Sequence, residues 1–386
     1  MINLHTLPPL GLYIHIPWCV KKCPYCDFNS HQVNYTDFNT LETDYINCVL
    51  KDLELAMPSI WGRMVSTVFI GGGTPSLFSG SAIHNLLNGV RSMVNLSPYA
   101  EITLEANPGT LDLSNFNEYK KAGVNRLSIG VQSFNDVFLK SLGRVHDGKT
   151  AINTVNTALE IFEFVNVDIM YVLPNQDIQD AIKDINSVIF LNPNHISCYN
   201  LTIEPNTYFY TNTPKNLPDN DICFAMQEEV INILKDAKYD RYEISAFAKN
   251  KTYAQHNLNY WTFGDYLGIG AGAHSKISYQ NKIIREIRHK NPTQYMKSIV
   301  NNTHIIETRE VKNHELPFEF AMNGLRLIDG VPVSWFTERT GLPLNAILPK
   351  LQEAESKSFI NLKGNMIIPT PHGVNFLNDA LLLFLA

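Results

Sequence analysis

The sequence has few cysteines and no excess of positive charge, and both shortages exclude classes of protein. Only 6 of its 386 residues are cysteine, too few for a disulfide-stabilised secreted scaffold. Its formal net charge of -6 provides no electrostatic footprint for general binding to nucleic acids or anionic membranes. We therefore expect free or metal-binding thiols in a reducing compartment and no nucleic-acid partner.

A targeting segment and long apolar runs are also missing. The first residues show neither the basic region nor the apolar core of a signal peptide, which predicts an intracellular, cytoplasmic protein. A membrane-spanning helix needs about 20 apolar residues, whereas the terminal run from Ala380 to Ala386 has seven. We expect no membrane span and interpret that run as the buried end of a last helix.

Three of the six cysteines fall within eight residues, at Cys19, Cys23 and Cys26. Thiolates at this density form a metal-ligand set, and iron–sulfur clusters usually take four of them. Because no fourth cysteine is nearby, a cluster bound here would have one iron without a protein ligand. Such an iron can bind another molecule, so the spacing predicts a reactive metal site.

A structural zinc ion is the alternative, because His15 or His31 is near enough in sequence to be a fourth ligand. Structural zinc sites usually combine two close pairs of ligands, whereas this set is one compact group. Trp18, Tyr25 and Phe28 flank the group and would keep water away from a cluster. The context therefore favours iron and sulfur over zinc.

Short apolar segments alternate with longer amphipathic ones, a pattern typical of βα units around a parallel sheet. The predicted strands are Leu12–Ile16, Thr67–Ile70, Glu101–Glu105, Arg126–Val131, Val165–Val172 and His195–Leu201. The clearest predicted helices are Phe38–Met57, Ala82–Val94, Thr150–Phe162 and Ile178–Phe190. Six units are too few for a closed eight-stranded barrel, so we predict an α/β fold with an open, partial (β/α)6 barrel.

The predicted strands end in polar or glycine-rich residues. In such barrels the site lies at the carboxyl ends of the strands, where this sequence has Gly71–Thr74, Glu105, Gln132 and, within the fifth strand, Asp168. The triple glycine permits close approach of a ligand and would leave backbone N–H groups free to bind it. Each residue alone is explained by a tight turn, a cap or a buried amide, but their common position beside a metal-ligand loop predicts a binding site.

The spacing Cys-x3-Cys-x2-Cys, with an aromatic residue before the last cysteine, resembles the cluster loop of the radical SAM superfamily. The longer segment Gly11–Cys19 resembles the branch that contains oxygen-independent coproporphyrinogen III oxidase and its haem-chaperone relatives, and the similarity covers roughly Gly11–Leu385. This resemblance implies a [4Fe–4S] cluster bound by Cys19, Cys23 and Cys26. It also implies S-adenosylmethionine at the fourth iron, where an electron from the cluster can yield a 5′-deoxyadenosyl radical.

The same resemblance implies which residues bind S-adenosylmethionine. In the family the glycine-rich strand end binds the amino and carboxylate end of the cofactor, and the aromatic residue of the cluster loop packs by the adenine. A tyrosine six residues before the first cluster cysteine also contacts the cofactor, and a glutamate, a glutamine, an arginine and an aspartate complete the site. The matching residues are Tyr13, Tyr25, Gly72, Gly73, Thr74, Glu105, Gln132, Arg144 and Asp168.

Beyond the sixth predicted strand, the segment His256–Trp261 is similar to the His-Asn-x-x-Tyr-Trp motif that distinguishes the haem chaperones from the oxidases. An imidazole can be an axial ligand of haem iron and aromatic rings can pack on a porphyrin, so the resemblance implies that His256 binds haem. The same residues could instead fill the open side of the barrel. We interpret His274 as a hydrogen-bonded structural residue. The basic segment Lys282–Lys290 is interpreted as a solvated face, and the alternative is that it pairs with carboxylates of a ligand such as porphyrin propionates.

The composition changes near the C-terminus, and we predict three parts with boundaries at 1–290, 291–315 and 316–386. The middle part is expected to be a polar connection. From Leu316 onward the order of elements resembles a winged helix, but five Lys plus Arg against six Asp plus Glu give no footprint for phosphates. We predict a winged-helix-like α+β cap or partner-contact module. The predicted elements are a helix over Asn220–Ala237, a strand over Tyr239–Ser245, helices over Leu316–Leu327, Val333–Thr340, Leu344–Ser358 and Gly373–Leu385, and a hairpin over Phe359–Ile368.

Two functions compete for this sequence. The first is a haem chaperone that binds haem and transfers it to acceptors such as respiratory haem proteins, with electrons for the cluster from a donor such as a flavodoxin or ferredoxin. The second is the oxidase, in which the radical starts decarboxylation of two propionates; a radical enzyme for another substrate is a third. Phe28 stands where the oxidases carry a further cysteine, and only ten residues precede Gly11, where they have a longer segment. These departures and the His256 motif favour the chaperone.

Overall fold

The computed structural model describes residues 2–33, 38–110 and 114–385. The strands are β1 Leu10–Ile16, β2 Trp18–Cys19, β3 His31–Gln32, β4 Met64–Gly72, β5 Asn95–Ala106, β6 Arg126–Gln132, β7 Phe164–Tyr171, β8 His195–Asn200, β9 Asp240–Arg241, β10 Ala246–Ala248, β11 Asp265–Ile269, β12 His274–Ser278, β13 Ile283–Arg288, β14 Ile305–Glu310, β15 Val331–Pro332, β16 Ile360–Lys363 and β17 Met366–Pro369. The helices are α1 Phe38–Ile60, α2 Gly80–Met93, α3 Ser114–Ala122, α4 Asp136–Ser141, α5 Gly148–Ile161, α6 Ile178–Leu191, α7 Tyr208–Thr211, α8 Asn220–Asp236, α9 Gln255–Trp261, α10 Pro292–Ile299, α11 Leu316–Gly324, α12 Ser334–Thr340, α13 Leu348–Ser356, α14 Pro371–Asn375 and α15 Leu377–Leu382.

A 12-stranded sheet carries the fold. Strands β11, β1, β4, β5, β6, β7 and β8 are parallel neighbours in that order, which confirms the predicted α/β fold with a partial barrel. Six of these strands correspond to the six predicted ones, and β11 adds a seventh. Antiparallel strands extend both edges, β12, β13 and β14 beyond β11, and β10 and β9 beyond β8. The carboxyl ends of the parallel strands therefore meet at one end of an open barrel.

Local sequence explains where the flanking helices begin and how the sheet is buried. Leu12 and Ile14 of β1 are fully buried in the large apolar core that also includes residues of α1, α2, α5 and α6. Helix α5 begins after Asp147, whose carboxylate accepts the Thr150 N–H, and capping of this kind typically stabilises a helix by about 1 kcal/mol. Helix α6 ends at Asn192, which adopts the left-handed conformation that terminates helices.

The interpretation of Lys282–Lys290 as a solvated basic face is wrong, because the segment forms β13 and contains a buried charge. Arg288 is fully buried, and its guanidinium lies 2.9 Å from the carboxylate of Asp52 on α1. The same carboxylate accepts the Tyr295 hydroxyl at 2.8 Å and the Gly270 N–H at 3.0 Å. Burial alone would raise the pKa of Asp52, but Arg288 outweighs it and lowers the pKa to about 2. The pair thus fixes the antiparallel edge of the sheet to α1.

Two further sequence predictions differ from the structure. Residues 291–315, predicted as a polar connection, contain α10 and β14, and β14 pairs with β13, so they extend the large sheet. The single strand predicted over Tyr239–Ser245 is instead the short pair β9 and β10, which turns back antiparallel on β8. Both errors arise because edge strands carry alternating polar residues and short turns that lack a strong apolar pattern.

The residues from 316 onward pack around a second apolar core, which Phe320, Phe336, Leu351 and Phe384 help to fill. Helices α11, α12 and α13 surround a three-stranded sheet in the order β15-β17-β16, consistent with the predicted winged-helix-like module. The predicted last helix over Gly373–Leu385 is divided into the short helices α14 and α15. Among the described residues, no helix is long and apolar enough to cross a membrane.

Candidate functional site

A cavity of about 450 Å³, which we call the first cavity, opens at the carboxyl ends of the parallel strands. Its volume lies within the range of about 300–1,000 Å³ typical of small-molecule sites. Most of the residues predicted to bind the cluster or S-adenosylmethionine line it, although they come from six different parts of the chain. They are Cys19, Cys23, Tyr25, Cys26, Gly72, Gly73, Thr74, Glu105, Gln132, Arg144 and Asp168.

Strands β2 and β3 pair with each other and hold the cysteine loop between them. Cys19, Cys23 and Cys26 are free, partly buried thiols. Thr74 donates its hydroxyl to Cys19 Sγ at 3.3 Å, and the Arg144 guanidinium donates to Cys23 Sγ at 3.6 Å. In the part of the chain that the structure describes, no three His, Cys, Asp or Glu side chains are arranged to hold a single metal ion. A cluster has no such requirement, because each thiolate binds a different iron.

Burial raises the pKa of Cys19 and raises that of Cys26 to about 11, and the neighbouring thiols add to both shifts. Both side chains are therefore protonated at neutral pH when no metal is bound. Because a thiolate is the form that binds iron, loading of this loop must release protons.

The glycine-rich end of β4 brings the strand close to the cysteine loop. Gly72 has a φ of +114°, and a Cβ at this position would lie 2.4 Å from the His15 ring. The Gly73 N–H donates to Ile16 O and the Thr74 N–H to Trp18 O, both at 2.7 Å. The Gly72 N–H is also bonded, to Glu105. The expectation that these backbone N–H groups are free to bind a ligand is therefore wrong. The glycines act by permitting close packing.

Two carboxylates face the first cavity from β5 and β7. Glu105 Oε2 accepts the Gly72 N–H at 3.0 Å, and burial raises the pKa of Glu105 to about 7, with a further rise from Asp168. Burial likewise raises the pKa of Asp168 to about 6, although hydrogen bonds from Asn166 and Ser128 lower it. Both groups change charge near neutral pH, and when ionised they can accept hydrogen bonds from a cationic ligand.

Arg144 and Gln132 complete the wall between β6 and the cysteine loop. Arg144 donates to the Gly130 carbonyl, and among the described residues its buried Nε has no partner. Burial alone would lower the pKa of Arg144, but Tyr25 and Cys23 raise it, so the guanidinium stays charged. The register of β6 against β7 shifts between Gly130 and Gln132, and Gln132 has a φ of +73°. Bulges of this kind redirect side chains next to binding sites.

Tyr13, predicted to contact S-adenosylmethionine, lines a different space, a second cavity of about 630 Å³. Its hydroxyl lies 2.9 Å from His15 Nδ1, and its ring stacks on Phe69 at 6.2 Å between centroids. The two cavities adjoin, because residues at their border line both of them. These shared residues are Asp27, Phe28, Ser30, Gly72 and Glu105.

His256 lies inside the barrel, where α9 packs against β4, β1 and β11. Its Nδ1 is 2.8 Å from Thr67 Oγ1 and its Nε2 is 2.9 Å from the Tyr260 hydroxyl. The ring also stacks on Phe69 at 5.1 Å, and burial lowers the pKa of His256 to about 3. Ligation of haem iron by His256 would therefore require one of these hydrogen bonds to break. Haem binding by His256 stays a prediction, while its packing matches the alternative that the motif fills the barrel.

A polar network on the inner face of the barrel was missed at the level of sequence. Asn166 Nδ2 donates to Asp168 at 2.8 Å, and Asn166 Oδ1 lies 2.6 Å from His195 Nδ1 and 3.0 Å from the Ser197 hydroxyl. These residues line the first cavity below the predicted site. Successive side chains of a strand point to opposite faces, so the polar residues at every second position of β6, β7 and β8 were the available signal.

Comparison with known proteins identifies the family. Residues 13–188 match the Radical SAM superfamily, and residues 311–376 match the HemN C-terminal domain. The haem chaperone HemW of Escherichia coli K12 is 45% identical over 382 residues, which cover 98% of this chain and 99% of that protein. The haem chaperone HemW of Haemophilus influenzae is 44% identical, with 98% of each chain covered. The chain belongs to the HemW family.

The structure of coproporphyrinogen III oxidase (HemN) from Escherichia coli, a radical SAM enzyme, is similar to this HemW-family chain. The TM-score is 0.83 at 22% sequence identity, with 98% of this chain and 90% of that chain covered. At this identity the similarity shows the fold, which includes both the barrel and the C-terminal module. Membership of the radical SAM superfamily implies a [4Fe–4S] cluster and S-adenosylmethionine for the HemW family.

The first cavity of this HemW-family chain fits both groups. Three free thiols lie together in its wall, which is the donor set for a cluster with one open iron. The unpartnered Nε of Arg144 and the ionisable Glu105 and Asp168 provide a donor and two acceptors for a zwitterionic ligand.

Proposed function

We propose that this protein is a haem chaperone, which binds haem and transfers it to acceptor proteins with the help of a [4Fe–4S] cluster and S-adenosylmethionine. The observation that carries the proposal is the similarity to the HemW chaperones over nearly the whole length of both chains. This similarity extends through the cysteine loop, the strand ends, α9 and the C-terminal module. The adjoining second cavity, which can accept a large ligand next to the cluster loop, supports it.

The first cavity would hold the redox groups. Cys19, Cys23 and Cys26 would bind the cluster, which supplies one-electron chemistry when bound together with S-adenosylmethionine. Glu105 and Asp168 offer ionised acceptors for the ammonium and hydroxyl groups of the cofactor above their raised pKa values of about 7 and about 6. The bulge at Gln132 directs its amide to the same space. The protein residues thus orient the cofactor and keep the open iron away from bulk water.

Phe28 favours the chaperone over the oxidase alternative. Its side chain is 57% exposed and lines both cavities, at the position where the resemblance to the oxidases leads us to expect a cysteine. A large exposed aromatic ring costs free energy in water unless a ligand covers it. A planar apolar ligand such as a porphyrin would cover this ring, and Phe28 leaves the chain without the further cysteine that the resemblance to the oxidases leads us to expect.

The proposal includes partners that the chain itself does not contain. Transfer requires a haem-accepting protein, and a respiratory haem protein is the acceptor class that we propose. Reduction of the cluster requires an electron donor such as a flavodoxin or ferredoxin. We place this exchange in the cytoplasm, where free thiols and a reduced cluster persist.

An anaerobic haem titration of the cluster-reconstituted protein tests the function. We expect saturable binding near one haem per chain, followed by absorbance. A parallel mixture contains coproporphyrinogen III, S-adenosylmethionine and a reductant. If the protein does not bind haem specifically but decarboxylates coproporphyrinogen III, its function is that of the oxidase and not that of a chaperone.

A further inference from the structure

The second cavity has the size, the position and the lining of a site for a large planar ligand. Its volume of about 630 Å³ exceeds that of the first cavity, and it lies between the cysteine loop and the antiparallel edge formed by β11 and β12. Aromatic rings line it, namely Tyr13, Phe28, Tyr260 and Tyr266, and Tyr260 meets Tyr266 edge to face at 4.7 Å. Rings at this density provide stacking and edge contacts for a conjugated macrocycle.

Three imidazoles line the second cavity, and their hydrogen bonds distinguish them. His15 is buried, and its two nitrogens lie 2.9 Å from the Tyr13 hydroxyl and 2.8 Å from Asn29 O. His31 Nε2 lies 3.3 Å from both Asn29 Oδ1 and Lys290 O. The His274 side chain is exposed and has no hydrogen bond among the described residues, so the interpretation of His274 as a hydrogen-bonded structural residue is wrong. Of the three, His274 is therefore the imidazole with both ring nitrogens unbonded among the described residues, whereas His15 and His31 are each held by hydrogen bonds.

The backbone around His274 is fixed, so its position does not depend on a mobile loop. His274 begins β12 and pairs with Ile287 of β13. The preceding Gly272 has a φ of +81°, and a Cβ there would lie 2.3 Å from Asn29 Nδ2. Asn29 Nδ2 in turn donates to Ala271 O at 2.9 Å. The loop before His274 is thus held directly against the cysteine loop, and a ligand bound by this imidazole would lie beside the cluster.

Cationic side chains stand at the edge of the same cavity. Lys22 and Lys290 are exposed residues in its lining, and Lys22 donates to Phe28 O at 3.1 Å. Two ammonium groups beside an aromatic surface suit a macrocycle that carries carboxylates. Asp27 and Glu105 also line the cavity, and both are on the side shared with the first cavity.

We propose that the second cavity is the haem site of this protein and that His274 is an axial ligand of the haem iron, with Lys22 and Lys290 near the propionates. The inference rests on the proposed haem-chaperone function and adds the location and the ligand. Burial and the neighbouring Lys290 and Arg285 lower the pKa of His274, which keeps the imidazole neutral and able to ligate iron at pH 7. Tyr13, Phe28, Tyr260 and Tyr266 would contact the macrocycle.

The test compares haem binding by the cluster-reconstituted wild-type protein with that of His274→Ala and His5→Ala. His5 is the control, because it is exposed and lies outside the lining of both cavities. We expect His274→Ala to weaken binding about ten- to hundredfold, at least the loss that metal sites show when a residue supporting a ligand is removed. His5→Ala should bind like the wild type. Iron, sulfide and S-adenosylmethionine binding should be unchanged in both variants.

A spectroscopic readout separates ligation from a structural role. The EPR spectrum of ferric haem on the wild-type protein should show a nitrogen axial ligand that is lost in His274→Gly and restored by added imidazole. Replacing Lys22 and Lys290 by Gln should weaken haem binding and reduce its salt dependence. Wild-type haem binding that is unchanged in His274→Ala, with no response to imidazole, would overturn this inference while the chaperone function stands. Absence of haem binding by the wild-type protein would overturn both.

Discussion

Glu105 is a buried carboxyl group whose charge should control both the stability of the protein and its affinity for S-adenosylmethionine. The rise of its pKa from 4.5 to about 7 corresponds, at about 1.4 kcal/mol per pKa unit, to about 3 kcal/mol. Because the pKa in the folded state is above that in the unfolded state, the contribution of Glu105 to stability is fully present below pH 4.5. It is lost as the pH rises through about 7.

The substitution Glu105→Gln removes this titration while retaining an acceptor for the Gly72 N–H. We expect the cluster-free variant to be more stable than the wild type at pH 8 by about 1–3 kcal/mol, because water in the cavity reduces the full value. At pH 4.5 the two proteins should differ little. Urea unfolding at both pH values measures the difference, and Glu228→Gln, at an exposed position, is the control.

The same substitution should have the opposite effect on ligand binding. At pH 8 we expect Glu105→Gln to bind S-adenosylmethionine about ten- to hundredfold more weakly, since a hydrogen bond to a charged group contributes about 1.5–3 kcal/mol. Wild-type affinity should fall as the pH decreases through about 7. If Glu105→Gln has the same pH dependence of stability as the wild type, the argument that burial controls this carboxyl group is refuted.

Three further sets of substitutions test other parts of the structure. Arg288→Leu removes the guanidinium from the buried Asp52 carboxylate and should lower the free energy of unfolding by about 3–5 kcal/mol. Lys51→Leu removes an exposed ion pair with Glu54 on the same helix and should cost less than about 1 kcal/mol. Equal losses in urea unfolding would contradict this. Gly72→Ala should impair both stability and S-adenosylmethionine binding, because the new Cβ would overlap the His15 ring. Its control is Gly62→Ala, where φ is +75° and no atom lies within 4 Å of the new Cβ. That substitution should lower the free energy of unfolding by only about 1–2 kcal/mol. Alanine in place of Cys19, Cys23 or Cys26 should abolish the binding of iron and sulfide without changing the urea unfolding of the cluster-free protein. Zinc in place of iron in anaerobic preparations of the wild-type protein would refute the cluster assignment.

The sequence was sufficient for six of the seven parallel strands and for most of the first cavity. The cysteine spacing is a local pattern, and the strands are marked by apolar runs. Once the strands are parallel, residues such as Glu105, Gln132 and Asp168 must meet at the same end of the sheet. This argument needs no contact information, which explains why it identified residues that are far apart in the chain.

The remainder depends on contacts that no local pattern reveals. Arg288 lies in a segment whose charges resemble a solvated face, and its partner Asp52 is 236 residues away. Likewise, no local pattern indicates that His256 bonds Thr67 inside the barrel, or that His274 in the second cavity has no hydrogen bond to any residue that the structure describes. Buried ion pairs and the hydrogen bonds of histidines are decided by tertiary packing, so only the structure distinguishes these roles.

Haem transfer to an acceptor tests the central claim most directly. The cluster-reconstituted protein is loaded with one haem per chain under anaerobic conditions, freed of excess haem and mixed with an apo-cytochrome of the respiratory type, and the absorbance of the acceptor is followed. A chaperone should deliver its haem in near-stoichiometric yield and faster than haem leaves the protein when no acceptor is present. Haem that stays bound, or that leaves at the same rate with and without the acceptor, would contradict the account.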